Sequence, residues 1–120
     1  MTTKLLYQPA QRIREKKDYD VVFNERKRLF GRHFVIYHKK NQLTHARLGI
    51  IVSKRNVRYA VDRNVLKRML KESFRLCQKT LKKTDIVVVV KKQPKPVNKK
   101  ELQQCIKQLL TKLSTGQVKH

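Results

Sequence analysis

The sequence predicts a single α+β domain, an α/β sandwich in which helices cover one small mixed sheet. Segments with helical and strand periodicity follow one another in the order α-β-β-(β)-α-β-α, which is typical of helices packed on a sheet. The valine-rich run Asp85–Val90 indicates a central strand that is buried on both faces. A chain of 120 residues is long enough for one hydrophobic core and needs no second one. We therefore expect one domain over residues 1–120, with a loose arm at about residues 1–11 and a loose tail at about residues 115–120.

The N-terminal part of the chain predicts a helix followed by two strands. A helix is expected over about Lys17–Arg28, ended by Gly31, because long and apolar side chains recur there at helical spacing. These side chains are Tyr19, Val22, Phe23 and Arg26. His33–Lys39 and Arg47–Ser53 have the composition of strands, and Lys40–Thr44 predicts a hairpin-like connection between them. One face of the second strand would carry Ala46, Leu48, Ile50 and Val52.

The C-terminal part predicts two further helices on either side of the central strand. A helix is expected over about Asp62–Gln78, with Asp62 as its N-cap because a carboxylate accepts a backbone N–H well there. The strand Asp85–Val90 should have a parallel neighbour on at least one side. Asn98 is expected to cap the last helix, with Glu101 at the N3 position in a variant of the capping box. The apolar stripe of that helix consists of Leu102, Ile106, Leu109 and Leu113.

The charge balance indicates a polyanionic partner. Lysine and arginine number 31 and aspartate and glutamate only 8, which leaves a formal net charge of +23. Such a domain repels itself unless a polyanion offsets the charge. Nucleic acid is favoured over an acidic membrane surface, because each neutralised phosphate releases condensed counterions. The sequence has no apolar run of about 18 residues and no apolar core for a secretory signal at its start, so we expect a cytoplasmic protein.

Cysteines, histidines and carboxylates give no sign of a metal site or a catalytic site. Cys77 and Cys105 fall at apolar positions of two different helices, which favours reduced, buried thiols over a disulfide. The four histidines lack the Cys/His spacings of zinc sites. A metal-dependent nuclease needs converging carboxylates, whereas the eight acids here are scattered among cations. We expect no catalytic residue and no metal ligand in the protein, although a pair of distant histidines acting as acid and base stays open.

The second helix is expected to have one apolar face and one cationic face. At about 100° per residue, the cationic face collects Asn64, Lys67, Arg68, Lys71 and Arg75, with no acid among them. The opposite face collects Val65, Leu66, Met69, Leu70, Leu76 and Cys77. Like charges at i,i+4 cost about 0.2–0.5 kcal/mol per pair, so phosphate binding is favoured over an ordinary solvated face. Asn64 adds a neutral group that can bond a sugar hydroxyl, a base edge or a water held by RNA.

The same helix carries a resemblance to a known family. Residues Arg63–Arg68, which read Arg-Asn-Val-Leu-Lys-Arg, are similar to Arg-Asn-Arg-Ile-Lys-Arg, the signature of the bacterial ribonuclease P protein component. The likeness includes the flanking Ser53-Lys54-Arg55, Ala60 and Glu72-Ser73-Phe74-Arg75, the early Lys17–Phe23 stretch and the strand Asp85–Val90. It therefore covers nearly the whole chain. The third signature position, normally Arg, is Val65 here, which leaves that one RNA contact open and the others in place.

The resemblance implies a fold and a function. The fold is ribosomal protein S5 domain 2-like, with the cationic helix in a left-handed crossover. The function is that of the protein subunit of ribonuclease P, an endoribonuclease that removes the 5′ leader of precursor tRNA. The resemblance places the catalytic centre in the RNA subunit, with Mg²⁺ held mainly by that RNA. The implied partners are the catalytic RNA and the precursor tRNA leader, with no membrane and no obligate protein partner.

Two sets of residues are expected to contact RNA. The set for the catalytic RNA is Lys54, Arg55, Arg58, Arg63, Asn64, Lys67, Arg68, Lys71 and Arg75. The set for the leader, in a cleft between the first helix and the sheet, is Arg12, Arg14, Tyr19 and Phe23. An aromatic pair at i,i+4 is more often core than a stacking platform, but the resemblance favours stacking on unpaired bases. Arg12, Arg14 and Lys16 either hold leader phosphates or form a loose basic arm.

Two other protein classes compete with this interpretation. A ribosomal or RNA-assembly protein of similar charge and fold is the first alternative. A nucleoid-type DNA-binding protein is the second, and it is disfavoured because neither a helix-turn-helix spacing nor a dimer-forming heptad repeat is found.

Overall fold

The computed structural model of the chain describes residues 12–43, 45–81, 83–93 and 98–114. The expected arm at about residues 1–11 and the expected tail at about residues 115–120 lie outside these residues. Three helices and four strands follow in the order α1 (Lys16–Glu25), β1 (Arg28–Phe30), β2 (Phe34–Lys40), β3 (Arg47–Ile51), α2 (Ala60–Leu81), β4 (Thr84–Val90) and α3 (Lys99–Ser114). This confirms the predicted α+β class and the optional third strand before α2.

The sheet is mixed, with the order β1-β2-β4-β3. Strand β4 is antiparallel to β2 and parallel to β3, as its apolar composition predicted. Its side chains alternate: Ile86, Val88 and Val90 enter the core beneath α2 and α3, while Val87 and Val89 face α1. The sheet therefore separates α1 on one face from α2 and α3 on the other. The four residues predicted to share one face of β3, Ala46, Leu48, Ile50 and Val52, belong to the larger core.

The predicted hairpin between β2 and β3 is wrong. Strand β4 lies between them, with Val90 opposite Phe34 and Val89 opposite Ile51. The physical reason is burial, because β4 is apolar on both faces and is best covered at the centre of the sheet. β3 and β4 are thus parallel neighbours joined through α2, which is the crossover implied by the family resemblance. The left-handed sense of this crossover stays a prediction.

The first helix ends earlier than the sequence indicated. It stops at Glu25, because Arg26 adopts the left-handed conformation (φ 62°, ψ 15°) and its N–H donates to the carbonyl of Phe23. The chain then forms β1, which pairs with β2 and places Leu29 against the larger core. Gly31 therefore follows a strand and not a helix. A side chain there would collide with α3, since a Cβ would lie 2.6 Å from a methyl carbon of Leu109.

The N-cap was predicted correctly for α3 and wrongly for α2, and the capping box predicted for α3 does not form among the described residues, because the Glu101 carboxylate pairs with His33 and Arg32. Asn98 Oδ1 accepts the N–H of Glu101 at 3.1 Å, as expected for an N-cap. The Glu101 carboxylate contacts His33 Nε2 at 2.7 Å, so it ties α3 to the turn before β2. α2 begins at Ala60, two residues before Asp62, which therefore lies in the first turn and is not the N-cap. There its charge is still favourable, because the N-terminus of a helix carries partial positive charge.

A buried ion pair fixes the register of the two parallel strands. Asp85 is 5% exposed and accepts hydrogen bonds from Arg47 Nε at 2.9 Å and Arg47 Nη2 at 2.6 Å. Asn41 Nδ2 donates to the same carboxylate at 2.7 Å. The hydrogen bond to Asp85 raises the pKa of Arg47. Asp18 of α1 approaches Arg47 at 3.8 Å, so this pair also links α1 to the sheet.

His38 on β2 makes the stability of the fold depend on pH. It is buried, and its Nε2 has no hydrogen-bond partner among the described residues. Burial, followed by the charge of Lys27, lowers the pKa of His38 below the ordinary 6.5. The unfolded chain therefore binds more protons, so the free energy of unfolding should fall as the pH drops below about 6.5.

The variant His38→Phe should flatten this pH dependence, because it removes the group that titrates. Denaturant unfolding measured between about pH 7 and pH 5, where an ordinary histidine titrates, compares the slopes of the two proteins. An equally steep slope in His38→Phe would show that another group causes the loss.

Candidate nucleic-acid interface

The cationic surface of α2 consists of Asn64, Lys67, Arg68, Lys71 and Arg75. Asn64, Lys67 and Arg68 are exposed, and Lys71 and Arg75 are half-buried. The opposite side of the helix packs into the larger core through Leu66, Met69, Leu70 and Phe74. The two-sided helix that the sequence predicted is therefore confirmed, with none of its surface lysines buried.

An acid reaches the cationic surface after all. Glu72 accepts a hydrogen bond from Arg75 Nε at 3.1 Å and a second from Arg75 Nη2. The pKa of Glu72 is lowered by this pairing, so the carboxylate is charged near neutral pH. The expectation of an acid-free face was wrong at Arg75, because a glutamate three residues before it can reach its guanidinium. The positive charge of the surface is concentrated at Lys67, Arg68 and Lys71.

Leu76 was expected in the core but is 59% exposed. It lies on the wall of a groove of about 520 Å³ between α2 and α3. Val65 and Cys77 also line this groove and are half-buried, since α3 covers only part of this side of α2. Cys77 and Cys105 are free and half-buried, so they are less enclosed than the sequence indicated.

The loop before α2 carries three more of the expected RNA-binding residues, Lys54, Arg55 and Arg58, and all are exposed. Asn56 anchors the loop, since its Nδ2 donates to the carbonyl of Val90 at 2.9 Å. The loop therefore presents Lys54 and Arg55 from a fixed position at the end of β4.

Arg63 has a structural role that the sequence did not indicate. Its Nη1 donates to the carbonyl oxygens of Val57 at 3.0 Å and Arg58 at 2.9 Å. The half-buried guanidinium thus holds the loop against the first turns of α2. We regard Arg63 as a residue that positions Arg58 and the cationic surface, in addition to any contact of its own with RNA.

A second surface, the aromatic cleft, lies between α1 and the sheet. We define it by Phe23, Tyr37 and Tyr19, which are all half-buried. The Phe23 and Tyr37 rings meet edge to face, with centroids 4.7 Å apart at 83°. Tyr37 was missed from the sequence, although its position on β2, alternating with buried Ile36 and His38, places it on the α1 face.

Tyr19 is held more tightly than Phe23. It packs so closely on Gly49 that a Cβ there would lie 2.6 Å from its ring carbon Cε1. Burial raises the pKa of Tyr19, against a smaller opposite effect of a backbone hydrogen bond at Ile50. Tyr19 and Phe23 pack on the smaller core and are only partly exposed, so their packing in the core is confirmed in part and their stacking on unpaired bases stays a prediction.

The segment before α1 extends the sheet beyond β3. Arg12 forms a parallel bridge with Leu48, and the N–H of Ile13 donates to the carbonyl of Leu48 at 3.0 Å. Ile13 is buried in the smaller core beside α1. Arg12 and Arg14 are thus exposed side chains of an anchored segment and do not belong to a loose arm.

Within the part of the chain that the structure describes, no group of three or more histidines, cysteines and acids could hold a metal ion. None of the described helices is both long and apolar enough to span a membrane.

Comparisons with known proteins agree on one family. The family model described as Ribonuclease P matches residues 7–114. The ribonuclease P protein component of Coxiella burnetii is 43% identical over 102 residues, which cover 85% of this chain and 84% of that relative. The ribonuclease P protein component of Aliivibrio fischeri is 36% identical over 103 residues, which cover 86% of this chain and 88% of that relative.

Solved structures are similar over comparable lengths. The RNase P protein of Staphylococcus aureus superposes with a TM-score of 0.78 at 28% identity, covering 90% of this chain and 96% of that chain. The RNase P protein from Thermotoga maritima superposes with a TM-score of 0.71 at 33% identity, covering 84% of this chain and 96% of that chain. A Staphylococcus aureus RNase P protein mutant with defective mRNA degradation activity superposes with a TM-score of 0.77 at 30% identity, covering 85% of this chain and 86% of that chain.

The chain is a small α+β domain with a cationic helix, and its relatives are RNase P proteins. This class of protein is the protein part of a ribonucleoprotein nuclease. The chain belongs to the ribonuclease P protein component family and is a protein subunit of ribonuclease P. It therefore associates with RNase P RNA and takes part in tRNA processing. The alternatives of a ribosomal or RNA-assembly protein and of a nucleoid protein are set aside.

Proposed function

We propose that this subunit holds two RNAs on opposite faces of its sheet. The cationic surface of α2 and the loop before it bind the phosphates of RNase P RNA. The aromatic cleft, with Arg12 and Arg14, binds the 5′ leader of precursor tRNA. The observation that carries the proposal is the two-sided α2, which is buried in the core on one side and presents Lys67, Arg68 and Lys71 on the other.

Phosphate binding accounts for charges that the fold alone does not need. Lys67 and Lys71 repel each other at i,i+4, and no ion pair among the described residues joins either of them to an acid. A bound RNA strand removes this repulsion and releases counterions. Exposed Asn64 stands between these cations and the loop, where it can read a sugar hydroxyl or a base edge.

Base stacking accounts for a half-exposed aromatic pair in a cleft. Phe23 and Tyr37 meet edge to face, so part of each ring stays available to an unpaired base. Stacking contributes about 1–3 kcal/mol per base and depends little on sequence. This property suits leaders of varied sequence. Arg12 and Arg14, anchored by Ile13 beside α1, would hold leader phosphates.

The hydrolysis itself is assigned to the RNA partner. When bound, Mg²⁺ activates water and stabilises the leaving oxygen, and we propose that RNase P RNA holds it. This chain would screen phosphate repulsion in the folded RNA and add binding energy to the leader. Precursor tRNA would then bind more tightly than mature tRNA, which has lost the leader. A cytoplasmic location goes with this role and stays a prediction.

Reconstitution tests the proposed function. The purified protein alone should leave precursor tRNA intact, and adding it to RNase P RNA should restore cleavage at a low Mg²⁺ concentration where the RNA alone is nearly inactive. Because a Staphylococcus aureus RNase P protein mutant has defective mRNA degradation activity, the protein-alone reaction should also include an mRNA. Unchanged cleavage on adding the protein would contradict the proposal, as would cleavage of either substrate by the protein alone.

A further inference from the structure

Phe30, at the end of the edge strand β1, is 64% exposed, although it is one of the largest apolar side chains in the protein. The sequence predicted a helix over about Lys17–Arg28, ended by Gly31, and assigned no role to this ring. Single exposed apolar residues are common and need no explanation. Two further observations at Phe30 do point to a ligand.

The first observation is a continuous row of rings and charge. Arg28 lies with its guanidinium carbon 5.2 Å from the Phe30 ring centroid and 5.9 Å from that of Tyr37. Tyr37 in turn contacts Phe23. Arg28 pairs with Tyr37 and Phe30 with Val35 across the two strands, so all four face the α1 side of the sheet. The row leads from the aromatic cleft to the edge of the sheet.

The second observation is a polar pocket beside Phe30. A cavity of about 310 Å³ lies on the α3 side of the sheet, between the turn after β1 and α3, and Phe30 reaches it because it ends the edge strand and is one of the lining residues. Gln104 and Gln108 line it with amides, which can both donate to and accept from a base edge. Arg32 and Lys112 line it with positive charge suited to a phosphate. The Glu101 carboxylate also lines it, but it is paired with His33 and Arg32.

The size of this pocket limits what it can hold. Small-molecule pockets begin at about 300 Å³, so this one suits a single nucleotide and not a folded RNA element. The edge strand has only three residues, Arg28–Phe30, which is short for pairing with a strand of a second copy. The combination of an exposed ring, amides and cations is that of a site for unpaired RNA.

We infer that Phe30 and the pocket beside it bind one unpaired nucleotide of the precursor tRNA leader, farther from the cleavage site than the nucleotides in the aromatic cleft. The base stacks on Phe30 and its edge faces Gln104 or Gln108, while Arg28 and Arg32 lie near its phosphates. This inference rests on the proposed function, because it extends the path of a strand that leaves the cleft. The site makes binding depend on leader length.

A series of precursor tRNAs with leaders of increasing length tests the inference. In the reconstituted enzyme, Phe30→Ala should weaken binding of long leaders by about fivefold or more, and leave short leaders and mature tRNA unchanged. Phe30→Tyr, which keeps a stacking ring, should restore the affinity for long leaders. Leu43→Ala, which removes another exposed apolar side chain in the loop after β2, is the matched control and should change nothing.

The remaining outcomes distinguish a failure of the Phe30 site from a failure of the proposed leader cleft. If Phe30→Ala loses as much affinity for short leaders and mature tRNA as for long leaders, the nucleotide at Phe30 belongs to RNase P RNA and the inference is overturned. No loss on any leader would overturn it as well, and so would a change of the oligomeric state in Phe30→Ala. Phe23→Ala is measured in parallel, because a lack of any leader effect there would count against the proposed cleft itself and not only against the Phe30 site.

Discussion

Replacing Lys67 and Arg68 together by alanine is expected to weaken binding of RNase P RNA by about 25- to 60-fold near 0.1 M salt, if each cation neutralises one phosphate. Both side chains are exposed, whereas the neighbouring Leu66 and Met69 are buried, so the change should leave the fold intact. The plot of log affinity against log salt should become shallower by about 1.4 to 1.8. RNA titrations at several salt concentrations measure both quantities.

The matched control removes the same two charges elsewhere. Lys39→Ala with Lys40→Ala changes the end of β2, which is not part of the cationic surface of α2, and gives the same net charge as the first variant. Its salt slope should stay close to that of the unchanged protein. Equal slopes in the two double variants would mean that net charge, and not the α2 surface, determines RNA binding.

Phe23→Ala is expected to lower the affinity of the assembled enzyme for precursor tRNA by about 1–3 kcal/mol, with little effect on mature tRNA. Its ring is half-buried in the aromatic cleft and contacts Tyr37, so its loss removes one stacking surface for the leader. Affinities for the two tRNAs, measured under the same salt and Mg²⁺ conditions, give the effect directly.

A conservative variant separates stacking from packing at the same position. Phe23 is half-buried and packs against the smaller core, so alanine also loses packing there. Phe23→Leu keeps most of this packing but has no aromatic face. It should keep the free energy of unfolding near that of the unchanged protein and still lose leader affinity. Full leader affinity in Phe23→Leu would show that the ring acts only as core.

The elements of the fold were largely predictable, but the order of the strands was not. The periodicity of α2 and α3 and the composition of β4 are local signals, and the structure confirms the elements they predict. The position of β4 between β2 and β3 depends on which strand gains most from burial on both faces, and this is a comparison between distant segments. The end of α1 depends on one left-handed residue, Arg26, which carries no sequence signal.

The candidate site was predictable where it depends on one helix. The spacing of Lys67, Arg68 and Lys71 alone places them on one face of α2. The second role of Arg63 was not visible, because its carbonyl partners lie in an irregular loop. Arg28 and Phe30 were missed because they reach the side of Tyr37 only through the pairing of β1 with β2. Tyr37 was missed although the alternation along β2 places it on the α1 face.

The central claim is that α2 holds RNase P RNA and that the opposite face of the sheet holds the leader. It is tested most directly by the ratio of precursor to mature tRNA affinity, measured for enzymes assembled with excess protein. Enzyme with Lys67→Ala and Arg68→Ala should keep this ratio once assembled, whereas enzyme with Phe23→Ala should lose most of it. If the α2 variant lowers the ratio as much as Phe23→Ala does, the two surfaces do not have separate roles and the account is wrong.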